Sequence, residues 1–298
     1  MLKNPLLFIH NNVVNNFETN INHKTTEIMN KTKFFIFLTF ILCSISNVFG
    51  QSFCSTPATT SNLNMNSSFQ MKSVNNNSYC LKIYFHVIRR SDGTGGQTTA
   101  SVNEAFNILN QDFNPHDISF NWDNQINYID NDSYYGTPTT AIFGVNNHQD
   151  GIDIYLYDDS SSAGGRANGV GESSEFWVSG SFWNTPFNPL TTSHVISHEM
   201  GHVLFLWHTH HGTANEGGTD TNQCAELVNG TNSQTCGDYV QDTPADPHLQ
   251  FNVNPTNCEW QNSGTDANGD AYNPDENNVM LTQISTVWNI SQLIKVKG

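Results

Sequence analysis

Residues 80–90, "CLKIYFHVIRR", are apolar at most positions and are closed by the turn formers "SDGTGG", which predicts a buried strand. The period then changes. In "TTASVNEAFNILNQDF", Val102, Ala105, Phe106, Leu109 and Phe113 fall close to helical spacing, and Thr98, Thr99 or Ser101 can cap the helix. Strands are expected at "ISFNW" (118–122) and "IDIYLYD" (152–158), with an edge strand at "EFWVSGSFW" (175–183). Between the last two, "SSSAGGRANGVG" (160–171) reads as a flexible glycine loop, without the Lys-Ser/Thr of a phosphate-binding loop. A second helical stretch, "TTSHVISHEMGHVLFLWH", begins near Thr192 or Ser193. Strand, helix, strand, strand and then this helix predict an α/β sandwich whose sheet precedes the second helix.

The chain beyond His208 is rich in turn formers and needs disulfides, ions or docking to hold it. Residues 51–79 carry neither period and are read as a propeptide or linker, so the folded domain is expected over 80–298. "FFIFLTFILCSI" (34–45), with Lys31 and Lys33 before it and small residues up to Gly50 after it, has the layout of a signal peptide at 29–50, cleaved after Gly50. Met29 immediately precedes it, which makes residues 1–28 an upstream extension.

The chain has 11 Lys and Arg against 27 Asp and Glu, a formal charge of −16, and Arg166 is the only Lys or Arg between Ser91 and Ile294. A protein without a positive footprint is a poor ligand for nucleic acid or an anionic membrane. The partners expected are instead protein or peptide substrates, with no nucleic acid and no membrane anchor in the mature chain. Five cysteines follow the leader, Cys54, Cys80, Cys224, Cys236 and Cys258, and an exported chain can oxidise them in pairs.

"SHEMGHVLFLWHTHHG" (197–212) concentrates five histidines and a glutamate. His198 and His202 are four apart, so on a helix both rings project from one face and can reach one metal ion. Two imidazoles leave zinc underligated. His194 lies about 12 Å of helix rise from His202 and is set aside as a capping or surface residue. His208, six residues on, allows the helix to end and the chain to turn back, and is the preferred third ligand. His210 and His211 remain fallbacks, and Glu226 stands where a zinc site completed by a carboxylate would place its third ligand. Glu199 follows the first ligand and can act as general base on an attacking water, then pass the proton to the leaving amine. Chance occurrence of H-E-x-x-H in a chain of this length is on the order of one in a hundred.

"HEMGHVLFLWH" resembles the metzincin signature H-E-x-x-H-x-x-G-x-x-H. "FHVIRRSDGTGG", "ILNQDF", "GDYVQDTPADP" and "NNVM" are similar, in order, to segments of the pappalysin-like zinc endopeptidases. The resemblance covers residues 80–280. It implies an α/β (α+β) metzincin-like fold with a twisted mixed sheet, two long helices and an irregular, calcium-stabilised C-terminal subdomain. It further implies zinc on His198, His202 and His208, Glu199 as general base, and Met280 in a Met-turn beneath the metal. Two features depart from the family: Phe205 stands where the signature has glycine, and Leu281 follows the Met, with a short, altered C-terminus beyond it.

"CGDYVQDTP" brings the oxygen ligands of Asp238, Asp242 and Thr243 close in sequence, and the family binds calcium there. "DANGDAYNPD" offers Asp266, Asn268 and Asp270, with glycine at the fourth place rather than the sixth of an EF-hand loop. In the family a cysteine before the DTP motif bonds to one downstream. Gln241 takes its place here, leaving Cys236 or Cys224 to pair with Cys258, with Cys236 preferred. Cys54 is read either as a zinc-ligating latch that silences a zymogen or as half of a Cys54–Cys80 disulfide. The expected function is a secreted zinc endopeptidase. The alternative is a catalytically impaired, calcium-stabilised binding or adhesion module that retains the zinc site.

Overall fold

The structure, a computed structural model, describes residues 52–54, 56, 78–158, 163–171, 174–180, 194–213, 224–249, 259–261, 264–276 and 278–281. Residues 1–50 form one unit and 51–298 another. The upstream extension, the signal peptide and Cys258 lie outside the described residues.

Seven strands make one mixed sheet: β1 Ser52–Cys54, β2 Tyr79–Arg89, β3 Ile118–Asn121, β4 Ile126–Asp130, β5 Ile152–Tyr157, β6 Ala163–Ala167 and β7 Glu175–Ser179. Among the described residues two α-helices accompany it, α1 Thr99–Phe113 and α2 Val195–Val203. The sheet order is β1-β6-β7-β5-β2-β3, and β4 pairs with β2 beyond the end of β3. Every pairing is parallel except β6 with β7.

The eleven residues of β2 carry the centre of the sheet. Phe85 and Val87 on one face meet Val102, Ala105, Leu109 and Phe113 of α1 and Ile196 and Met200 of α2. Ile88 on the other face joins Tyr155, Tyr157 and Trp177 beneath the Tyr134–Val145 loop. The α1 helix starts where Thr98 Oγ1 accepts from Ser101 N, and it gives way to a 3₁₀ turn at Asn114–His116 that contains Pro115.

Four expectations change. Residues 163–167, read as loop, form strand β6, because Gly165 must lie flat under a carboxylate described below and the glycines hide any alternation. The β7 strand is internal rather than an edge, since β6 and β1 lie outside it, and all five of its residues are buried. The segment read as featureless contributes β1. The second helix is short, nine residues, not long. Beyond α2 the described residues form no helix or extended strand, only isolated bridge positions such as Thr265 with Ala271, as the turn-rich composition anticipates.

Candidate metal centre

The α2 helix packs across the sheet so that His198 and His202, both fully buried, point the same way. Its C-terminal end is fixed by three backbone bonds: Phe205 N to His202 O (3.1 Å), Leu206 N to Gly201 O (2.9 Å) and Gly171 N to His202 O (2.8 Å). The chain reverses at Phe205, whose φ is +72°, the left-handed conformation for which the metzincin signature keeps a glycine. That turn brings His208 back onto the helix. Phe205 itself is exposed and lays its ring on Gly171. A side chain in this conformation costs about 1 kcal/mol. Phe205→Gly is therefore expected to melt about 2–4 °C above Phe205→Ala, two variants that both lack the ring and differ in the strained Cβ, as thermal denaturation would read.

His202 Nε2 lies 3.1 Å from His198 Nε2 and 3.1 Å from His208 Nε2, with Cys54 Sγ 3.5 Å away. Four donor atoms, one from each of these residues, fall within 4.8 Å of one another. The His202 ring stands nearly perpendicular to the other two, so the imidazoles approach from different directions. His198 Nδ1 donates to Val279 O (2.7 Å) and His202 Nδ1 to Leu206 O (2.8 Å). A carbonyl only accepts, so each of these two neutral rings carries its proton on Nδ1 and presents Nε2 as an acceptor. Burial lowers the His198 pKa to about 4 and, with neighbouring histidines adding to it, takes His208 well below its ordinary value, so both rings are neutral at pH 7.

Two such acceptors held 3.1 Å apart, His198 Nε2 and His202 Nε2, repel unless a cation lies between them. Two imidazoles on a tetrahedral zinc stand about 3.4 Å apart, and an imidazole and a thiolate about 3.6 Å. The observed separations fit that ion. A second group, His86, His148 and Asp153 on the opposite face of the sheet, does not. His86 Nε2 and His148 Nδ1 each stand 2.7 Å from Asp153 Oδ1, the length of a hydrogen bond and too short for two ligands on one ion.

Glu199 is buried beside the four donors and is not one of them. Its Oε2 accepts from Thr56 Oγ1 (2.7 Å) and Ala167 N (2.8 Å). Its Oε1 lies against Gly165, where a Cβ would come within 2.7 Å of it. Burial pushes this carboxyl up to about 7, against hydrogen bonds from Thr56, Cys54 and Ala167. Cys54 is the last residue of β1, which runs parallel to β6 with Cys54 opposite Gly165, and Thr56 follows just beyond the strand. Thr56 N donates to Cys54 Sγ (3.4 Å), so Thr56 holds both the sulfur and the carboxylate. Exposed Cys80 is not bonded to Cys54, and the Cys54–Cys80 disulfide is not formed.

No protein-family model and no curated protein matches this chain.

The rival ligands lie elsewhere. His194 is buried rather than on the surface: it sits at the N-cap of α2 without a side-chain cap bond, and its Nδ1 lies 2.8 Å from Asp112 Oδ2. His210 stacks between His208 and His248, and His211 lies against Trp207. Glu226 packs against Gly237, next to Asp238 and outside the histidine group. Met280 is buried in the Asn278–Leu281 turn, its sulfur against Gly201 of α2, and the preceding Val279 carbonyl orients His198.

Of the calcium candidates, Asp238 is buried and hydrogen-bonded to Thr243, whereas Asp242 is exposed. Residue spacing does not single out Glu226 as a neighbour of Asp238, because the intervening turn is not periodic. Asp266 caps its own turn, its Oδ1 accepting from Asn268 N and Asp270 N and its Oδ2 from Val228 N, which accounts for both oxygens. The expected Cys236–Cys258 bond is corrected: Cys236 is joined to Cys224, twelve residues away across a tight turn. Among the described residues no helix is long and apolar enough to cross a membrane.

Proposed function

We propose that this chain is a secreted, zinc-dependent endopeptidase of the pappalysin-like metzincin type, held inactive by its own N-terminal segment. The observation that carries this reading is the convergence of three imidazole Nε2 atoms beside a buried carboxylate that is not one of the four grouped donors. Zinc bound there supplies a Lewis acid that polarises the scissile carbonyl and acidifies a water. His198, His202 and His208 would hold the ion through their Nε2 atoms. Glu199 takes the proton of the attacking water at Oε1, the oxygen not engaged by Thr56 and Ala167. As the new carbon–oxygen bond forms and the carbon–nitrogen bond breaks, it returns that proton to the leaving amine. Met280 and Val279 support the ligands from below. With an ion held there, the Cys54 thiolate would take the position a substrate needs and so keep the site closed. The Cys224–Cys236 disulfide and the leader-like segment at 29–50 support an oxidising, extracellular setting.

The deciding experiment is elemental analysis of the purified chain together with casein cleavage after release of the segment that carries Cys54. One zinc per chain and cleavage abolished by chelator are expected. One zinc without turnover would instead make the chain a binding module that retains the ion.

Calcium is proposed at Glu226 and Asp238, two adjacent buried carboxylates supported by Thr243. Desolvation, then the charge of Asp238, raises Glu226 to about 8, and desolvation raises Asp238 to about 7. A folded-state value above the unfolded one means that the fold prefers the protonated form. The contribution to stability is therefore complete below about pH 4 and is lost as pH rises through 7 to 8. In chelator the melting temperature is expected to fall between about pH 5 and 8. Added calcium should restore it at the upper end of that range and change it little at the lower end, and an equal effect of calcium at both ends would remove this site.

A further inference from the structure

Asp112 is an anomaly in α1. Val102, Ala105, Leu109 and Phe113 make the buried stripe of that helix, and Asp112 sits among them, fully buried, where the spacing calls for an apolar side chain. A buried carboxylate is expensive to desolvate, and its pairing seldom repays that cost as stability alone. Its partners suggest what it does. Asp112 Oδ2 accepts from Ser197 Oγ at 2.5 Å and from His194 Nδ1 at 2.8 Å, two residues at the start of α2. Ser197 immediately precedes His198. The N-cap of α2 has no side-chain cap bond of its own, and an anion close to that end faces the positive pole of the helix.

We propose that Asp112 is a positioning residue for the metal centre. It fixes the rotation of α2 about its axis, and so the direction in which His198 Nε2 points. The C-terminal end of α2 is already held by the Gly171, Phe205 and Leu206 backbone bonds, and each of the two α2 imidazoles has its own carbonyl partner. A nine-residue helix pinned only at its C-terminal end can still twist at its start, which would spoil the match between His198 and His202. Asp112 removes that freedom from a neighbouring helix, touching neither ligand. The inference rests on the metal-centre reading above.

The test uses the full chain loaded with zinc or cobalt. Zinc affinity is measured by competition with a chromophoric chelator, and ligand geometry is read from the visible absorption of the cobalt form. Asp112→Leu, which removes the acceptor Oδ2 shared by both donors, and Ser197→Ala, which removes one donor without disturbing packing, are expected to weaken zinc binding, Asp112→Leu by about ten-fold and Ser197→Ala by less. Both should shift the cobalt bands. Asp112→Asn keeps an acceptor oxygen and should restore the wild-type spectrum with affinity within about two-fold. A purely structural role would lower the melting temperature and leave the cobalt spectrum of the folded variants unchanged, and that result overturns the proposal. Should Asp112→Leu not fold, an unchanged affinity and spectrum in Ser197→Ala overturns it equally. A wild-type chain that takes up neither metal would instead sink the metal-centre reading itself.

Discussion

Replacing Glu199 with Gln is expected to lower peptide-bond cleavage by about 10³-fold while zinc content stays at one per chain. Gln has the same length and shape. Its amide oxygen can accept from Thr56 Oγ1 and Ala167 N as the Glu199 Oε2 does now, so the strand β6 contact survives. Gln cannot take a proton from water at neutral pH. The measurement is kcat/KM on a peptide substrate, made in a Cys54→Ser background so that the site is open in both proteins. The zinc content of each preparation is determined in parallel. A variant that binds zinc and cleaves at the parent rate would show that Glu199 is not the general base, and the water would need another proton acceptor. Loss of zinc and activity together would show that the carboxylate supports the ligands instead.

Much of this centre is legible in the chain because its parts obey local periodicities. His198 and His202 are four apart on one face, and no tertiary knowledge is needed to bring their rings together. His208 follows once the helix is allowed to stop, and Phe205 adopts the left-handed turn that a glycine would otherwise supply. The stripe of α1 is equally plain, and its one misfit, Asp112, is a charge interrupting an apolar face. What is not legible depends on pairing across long separations. The β6 strand contains Gly164 and Gly165, which cannot show alternation. Gly165 is there because the carboxylate of Glu199 occupies the space a Cβ would take. The β1 strand is three residues long, and nothing near it in sequence predicts that it will lie beside β6. The internal position of β7 is hidden for the same reason, since a strand is an edge only if nothing is added outside it. The disulfide escapes a reading of spacing because several cysteines close loops of comparable plausibility, and only the fold brings Cys224 within 5.0 Å, Cα to Cα, of Cys236.

The Cys54 contact leads to the second large effect. In the full chain, Cys54→Ser is expected to raise cleavage by about 10²-fold, equivalent to losing roughly 3 kcal/mol of ligation from the closed state. A serine hydroxyl is a poor zinc ligand at neutral pH, so the fourth position opens to water and substrate while the three imidazoles remain. Opening is incomplete, because Thr56 still donates to Glu199 Oε2 and still shares Ala167 N with it, which keeps β1 against β6. Adding Thr56→Val, which has the shape of threonine without the hydroxyl, should raise cleavage further by freeing the carboxylate. A thiol-directed mercurial should activate the wild-type chain and leave the cleavage rate of Cys54→Ser unchanged, although it also modifies exposed Cys80 in both. The order expected is therefore wild type, then Cys54→Ser, then the double variant. If Cys54→Ser binds zinc and stays as inactive as the wild type, the sulfur is not what closes the site. The weight of inhibition would then fall on Thr56 and on the pairing of β1 with β6.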